Sequence, residues 1–223
     1  GLGMEVTLLE KPPQVTPGLD GDIAVYVQDH IEKNAVTVLT GVSIAEITES
    51  SVVLSDGKEI KADMVLVSTG VRPNTELAVA AGIELGVAGA IRVNTKMQTS
   101  LPDIYSGGGC VESLHAITGK PVYIALGTTA HKHGRIIGEN ICGLRSEYPG
   151  TLGTQSIKLF DMVIARTGMN DAEARAAGFD ARTGDFETWD HKVYYPPAYR
   201  TRVRLTADAG TRRLLGCQIL GDI

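Results

Sequence analysis

Cysteine is scarce in this sequence: Cys110, Cys142 and Cys217 are widely separated and odd in number. That argues against a disulfide framework or a CxxC metal site, and a reducing cytoplasm is the natural compartment. Long apolar runs are missing too. The longest, such as Met64–Val67, fall far short of the ~20 residues a bilayer crossing requires. No charged start followed by an apolar stretch and a small-residue cleavage site marks a signal peptide. Positive charge is not in excess, since 21 Lys and Arg against 26 Asp and Glu give a net charge of −5, which disfavours a general nucleic-acid role. Internal repeats and low-complexity tracts are absent. An initiator Met is also lacking: Gly1-Leu2-Gly3 runs straight into a strand-like segment, and the chain stops just after another. Strand edges and apolar faces would be uncovered at both ends, so the sequence reads as an excerpt from something longer.

What is present suits a soluble globular protein, with 43 % of 223 residues hydrophobic and 21 % charged. Met4–Glu10 is strand-like. A proline-rich turn leads to Asp20, a plausible N-cap, and Ile23, Val27 and Ile31 recur at four-residue spacing along a helix. Four β-rich runs follow, Val36–Thr40, Val42–Thr48, Val52–Ser55 and Glu59–Lys61, with Asp56-Gly57 as a hairpin turn between the last two. Met64–Thr69 lacks alternation and is expected to be a strand buried on both faces. A short helix over Glu76–Ala81 ends at Gly82. A long helical pattern runs from about Ala125 to Cys142, with Ile136, Ile137 and Ile141 as its apolar face and Gly143 as its stop. Beyond Thr151, strands are expected at Ile157–Leu159 and Val163–Ala165. Asp171 would cap a helix through Ala177 that Gly178 stops, and two terminal strands would flank Ala207–Thr211. A boundary is expected near Tyr148-Pro149-Gly150.

Several positions invite a chemical reading. Glu10 stands where a doubly wound domain puts a carboxylate on the adenosine ribose, although a Glu leaving a strand is commonly just solvated, and no glycine fingerprint precedes it. At Val67-Ser-Thr-Gly-Val-Arg-Pro-Asn74, Gly70 allows close approach of a ligand or backbone, or simply serves a tight turn. Gly107-Gly108-Gly109 offers backbone N–H groups to a phosphate or sugar, or is a flexible loop. His131 and His133, two apart on a helix, point about 200° apart and cannot share an ion, so no metal site is expected.

Four separated motifs carry a resemblance along essentially the whole chain. Val67-x-x-Gly70-x-x-Pro-Asn74, Thr99-Ser-x-Pro-x-Ile-Tyr105, Gly119–Asn140, and Gly153-Thr with Ala165-Arg-Thr-Gly168 occur in the order seen in the single-cysteine branch of the pyridine nucleotide-disulfide oxidoreductases. The sequence resembles coenzyme A-disulfide reductase and NADH oxidase within that family.

The resemblance implies an α/β fold of partial doubly wound, Rossmann-type domains followed by an α+β dimerisation domain. Residues 1–75 would be the C-terminal half of an NAD-binding domain, 76–148 the C-terminal half of an FAD-binding domain, and 149–223 the first part of the dimerisation domain. It implies a cytoplasmic homodimeric flavoprotein of cell redox homeostasis. FAD and NAD(P)H would serve to reduce a disulfide, peroxide or oxygen through a redox cysteine outside this chain, and these residues alone would be inactive.

Gly70 would be a cofactor-binding position, Gly108 and Gly109 would lie at the flavin ribityl, and Gly127, Thr128, Thr129 and Ala130, at a helix N-terminus, would meet the flavin pyrimidine. Tyr194 or Tyr195 would act on the partner subunit's thiolate, with Pro196 sending their rings to opposite sides. Lys192, Arg200 and Arg202 would face coenzyme A phosphates or solvent. Cys110 aligns with a packing position, and Cys142 and Cys217 are expected to be inert in apolar surroundings. One departure stands out, because Gly109 replaces the Asp that family members usually carry for the flavin ribityl. It favours the alternative of a non-catalytic fragment or degenerate homologue that keeps the dimerisation surface.

Overall fold

The computed structural model describes residues 3–222. Along residues 3–68 the chain forms β1 (Val6–Glu10), α1 (Gly21–Lys33), β2 (Val36–Thr40), β3 (Ile44–Ile47), β4 (Ser51–Leu54) and β5 (Glu59–Lys61). Residues 69–154 carry α2 (Glu76–Ala80), β6 (Ser113–Leu114), β7 (Pro121–Val122) and α3 (Gly127–Ile141). Then come β8 (Gln155–Leu159), β9 (Met162–Gly168), α4 (Asp171–Ala176), β10 (Ala181–Trp189), β11 (Arg200–Asp208) and β12 (Leu214–Asp222). Two compact units result, one joining Gly1–Ser68 to Gln155–Ile223 and the other formed by Thr69–Thr154.

In the first unit β1 and β2 pair in parallel, Val6 opposite Val36 and Glu10 opposite Thr40. α1 connects them, as a parallel pair requires a crossover. Its stripe is the one the spacing predicts, with Ile23, Val27 and Ile31 at 2, 0 and 6 % exposure. These residues pack with Val15 and Leu19 against Met162, Ile164 and Leu220 of the antiparallel sheet ordered β10-β11-β12-β9-β8. Each such side chain contributes about 1.5–3 kcal/mol by leaving water. β3, β4 and β5 form a meander whose turn at Asp56-Gly57 places Gly57 at φ +87°, the positive φ the turn requires.

Several sequence expectations need correction. Met64–Thr69 is neither strand nor buried, and Leu66 is 90 % exposed. Among the described residues the parallel sheet has two strands and none lies beside this run. Without a ladder partner, apolar composition does not make a strand. The Asp20 side chain caps nothing on α1. It accepts instead from the Asp171 N–H at 3.1 Å and from Gln218 Nε2 at 2.6 Å. α4 is capped by Asn170, not Asp171, through a capping box in which Asn170 and Glu173 exchange bonds. Asp171 accepts from the hydroxyls of Thr183 and Thr206. β10 is a nine-residue strand that the sequence did not signal.

The second unit has its own core of Ala78, Ile91, Met97, Val111, Ile136 and Tyr148. α2 stops at Gly82, φ +77°. α3 buries Ile136 but leaves Ile141 66 % exposed, because its last turn runs past the core that Ile136 enters. Cys142 is exposed, contrary to its expected apolar setting.

Candidate cofactor-binding site

The Gly107–Gly109 loop lies against α3. A Cβ on Gly107 would come within 2.8 Å of Ile137 Cδ1 and 3.0 Å of His133 Cβ, so a larger residue would push both side chains aside. Gly108 sits at φ +91° and donates its N–H to His133 Nδ1 at 3.3 Å. Gly109 accepts on its carbonyl from Tyr123 Oη at 2.8 Å. Cys110 is half-buried beside this turn, its Sγ 3.6 Å from the Gly107 carbonyl, as a packing cysteine would be.

α3 starts without a side-chain cap. Leu126 occupies the N-cap position in extended conformation, and no acidic residue stands in the first turn. The first N–H groups of the helix, those of Gly127, Thr128 and Thr129, therefore have no side-chain acceptor, and the macrodipole adds positive potential there. Gly127 and Thr128 are exposed and Thr129 is 4 % exposed. This donor set fits an electron-rich ring edge such as the flavin pyrimidine. Gly109 supplies no carboxylate for a ribityl hydroxyl.

His133 is the residue that sequence reasoning undervalued. It is fully buried, bonds Gly108 and Ser113, and meets the Tyr148 ring edge-on at 4.6 Å. Burial pushes its pKa below the ordinary histidine value. His131 is exposed, and no group of three or more potential metal ligands occurs among the described residues.

The remaining positions are dispersed. Glu10 closes β1 half-buried, its carbonyl accepting from the Val42 N–H at 3.2 Å. Gly70 lies in the left-handed region at φ +100° with open space around it. Tyr194 and Tyr195 stand at the tip between β10 and β11, 67 and 63 % exposed. Their rings do not diverge as expected from Pro196: the centroids are 4.8 Å apart. The tip is a turn, with Tyr195 N–H bonded to the Lys192 carbonyl at 2.9 Å, and the alternation of an extended strand does not apply.

His191 braces this tip, with Nδ1 2.8 Å from Asp190 Oδ1 and Nε2 2.6 Å from the Tyr195 carbonyl. The Tyr195 carbonyl and then Asp190 raise its pKa. Lys192 Nζ lies 5.7 Å from the Tyr194 ring centre. Arg200 and Arg202 reach Glu187 at 3.4 and 2.5 Å, and Arg202 stacks on Tyr26 at 3.8 Å. Cys217 is half-buried, and burial pushes its thiol pKa up, which disfavours the thiolate.

The pyridine nucleotide-disulphide oxidoreductase model matches residues 1–134, and the dimerisation-domain model of that family matches residues 154–223. The chain belongs to the pyridine nucleotide-disulphide oxidoreductases. It is 42 % identical over 169 residues to an NAD(P)H sulfur oxidoreductase (CoA-dependent) of Pyrococcus furiosus, covering 76 % of this chain and 38 % of that protein. An NAD(P)H coenzyme A polysulfide/persulfide reductase of Pyrococcus horikoshii is 34 % identical over 223 residues, covering 99 % of this chain and 50 % of the relative. The solved NAD-dependent persulfide reductase from A. fulgidus superposes with a TM-score of 0.96 at 40 % identity, covering 99 % of this chain and 42 % of that one. The chain thus spans about half the length, or less, of the relatives it matches. Membership bears out the expected α/β fold with a dimerisation domain. No described helix is long and apolar enough to cross a membrane.

Proposed function

We propose that the protein containing this chain is an FAD-dependent NAD(P)H oxidoreductase that reduces a disulfide- or persulfide-type sulfur species, coenzyme A disulfide among them. The observation that carries the reading is the uncapped start of α3 in the same unit as a glycine loop drawn against that helix. FAD, when bound, accepts hydride from NAD(P)H and passes electrons to a sulfur or oxygen acceptor. In this reading the N–H groups of Gly127, Thr128 and Thr129 and the backbone at Ala130 stabilise negative charge on the reduced ring. Gly108 and Gly109 line the ribityl side, and Gly70 allows close approach of the cofactor. Glu10 accepts from the ribose of the nicotinamide cofactor. A carboxylate there disfavours a 2′-phosphate and so favours NADH, with Lys11 beside it leaving both cofactors usable.

In this reading the redox cysteine lies outside residues 1–223, as the family layout implies, with Cys110 packed beside the glycine turn and the Cys217 thiol pKa raised by burial. Two relatives are named for sulfur acceptors, which supports a sulfur species, while others are named NADH oxidase, which leaves oxygen as the competing acceptor. The dimerisation-domain match supports a homodimer in which one of Tyr194 and Tyr195 reaches the partner's site. Domain limits near residues 75 and 148 follow the same family layout.

A visible spectrum of the purified full-length protein, followed by NAD(P)H consumption with coenzyme A disulfide, persulfide, peroxide and oxygen, tests the proposal. Absorption near 450 nm and the fastest turnover with a sulfur acceptor are expected. A colourless protein that gains no flavin on addition of FAD would favour the degenerate-homologue reading that Gly109 suggests.

A further inference from the structure

Two elements make up the proposed flavin cradle, the Gly107–Gly109 loop and the start of α3, and one buried side chain ties the first to the second. His133 lies on α3 six residues after Gly127 and is 0 % exposed. Its Nδ1 accepts the Gly108 N–H at 3.3 Å, so Nδ1 carries a lone pair and the proton resides on Nε2. Nε2–H then donates to Ser113 Oγ at 3.3 Å, and the Tyr148 ring closes the pocket edge-on at 4.6 Å. Both ring nitrogens are satisfied by the neutral imidazole in this one tautomer. An imidazolium would set an N–H against the Gly108 N–H. The loop is also drawn onto the helix at this point, for a Cβ on Gly107 would lie 3.0 Å from His133 Cβ.

We infer that His133 is a positioning residue for the cofactor: its neutral Nε2–H imidazole fixes Gly108 and Gly109 relative to the N–H groups that open α3. The inference rests on the flavin reading of this site. Such a bond acts by holding two pieces of a cradle at a set separation, which binding would otherwise have to order. A residue that merely filled space would be replaced without loss by any side chain of similar volume.

The test uses the full-length protein and FAD titrated into the apoprotein, with a melting curve for each variant. His133→Leu keeps bulk and loses both bonds. It is expected to weaken FAD roughly tenfold, the factor that loss of about one hydrogen bond commands. His133→Asn keeps an acceptor near the Nδ1 position and is expected to bind within about threefold of wild type, following the same conversion. Equal FAD affinity in wild type and a folded His133→Leu would overturn the inference while leaving the flavin reading intact. An Asn variant as weak as Leu would overturn it as well. A wild-type protein that binds no FAD removes the flavin reading and the inference with it. Should His133→Leu fail to fold, ring nitrogen-15 shifts of His133 in the wild-type holoprotein decide. An unprotonated Nδ1 beside a protonated Nε2 supports the inference, and the opposite tautomer or a charged ring overturns it.

Discussion

At the residue scale the glycines of one loop divide by what surrounds them. A Cβ on Gly107 would press on Ile137 Cδ1 and His133 Cβ at 2.8 and 3.0 Å, whereas a Cβ on Gly109 would meet only Ala125 Cβ at 3.7 Å, an ordinary contact. Gly109 also lies outside the left-handed region, so an aspartate fits there. Gly109→Asp in the full-length protein is expected to tighten FAD about tenfold to a hundredfold, the equivalent of a charged hydrogen bond of roughly 1.5–3 kcal/mol. Titration of both apoproteins measures it, and equal affinity would mean that the flavin is held without that contact.

His133 yields a pH prediction. Its folded pKa lies below the ordinary value of 6.5, with desolvation as the cause. The unfolded chain therefore binds a proton that the folded chain refuses, and stability rises with pH across that window. The contribution is complete above about pH 6.5 and declines as pH falls toward the folded value. Denaturation midpoints at pH 7.5 and 5.5 should fall more for wild type than for His133→Asn. Parallel losses would assign the slope to other groups. The triple glycine was legible in the sequence because three in a row have few uses. His133 was not, because its partners Gly108, Ser113 and Tyr148 lie 15 to 25 positions away and are joined to it only by folding.

At the scale of elements, periodicity was a good guide and end signals were not. α1 follows its four-residue apolar spacing because a stripe needs a core on one side and nothing else. Asp20 and Asp171 look like caps in sequence, but their carboxylates are drawn to better partners across the unit. β10 escaped notice because Ala181–Trp189 is polar and interrupted by Gly184, and all of it beyond Ala181 is exposed. Its register comes from pairing with β11, not from an apolar pattern.

The joint between α1 and that sheet is centred on Arg204, whose side chain is 8 % exposed. Its Nη1 donates to Asp22 Oδ1 at 2.6 Å, and its Nε donates to Asp185 Oδ1 at 2.7 Å. The Arg204 hydrogen bonds are the foremost cause holding the Asp22 and Asp185 pKa values below 3.8. Asp20 Oδ2 also lies 3.6 Å from Arg204 Nη1, so Arg204→Met leaves the carboxylates of Asp20, Asp22 and Asp185 without their shared cation. A cost of about 1–3 kcal/mol is expected, less than for a fully buried pair, because Asp22 and Asp185 keep much of their water. The sign with pH follows from the depressed carboxylate values: the wild-type contribution is complete above about pH 4 and is lost as pH falls through the folded values. The gap in denaturation midpoint between wild type and Arg204→Met should thus narrow below pH 4. A gap that widens there would deny the ion pairs their role.

At the scale of the whole molecule, the Tyr194–Tyr195 tip is proposed to serve a neighbouring subunit because of its setting on the dimerisation module. Both rings are exposed, lie side by side, and sit on a turn braced by His191 and Asp190. Exposed paired aromatics on a dimerisation module suit an interface, and a phenol with a reference pKa near 10 stays protonated at neutral pH and donates to a thiolate. Because the two rings are neighbours, Phe replacement at one position shifts the surroundings of the other. The expected pattern is therefore one strong and one weaker loss, where divergent rings would have given one loss alone. The stronger variant should lower reduction of the sulfur acceptor by roughly tenfold while NAD(P)H still reduces the flavin at the wild-type rate. Rapid-mixing measurement of the two half-reactions separates them. Hybrid dimers then decide whether the tyrosine acts across subunits. Pairing the stronger Phe variant with a subunit that lacks only the redox cysteine places the intact cysteine opposite an intact tyrosine at one of the two sites. About half of the wild-type activity should return, the share that one complete site of two supplies. Activity no higher than that of the Phe homodimer would show that the tyrosine serves its own subunit, and full activity in both Phe homodimers would leave the pair to interface packing.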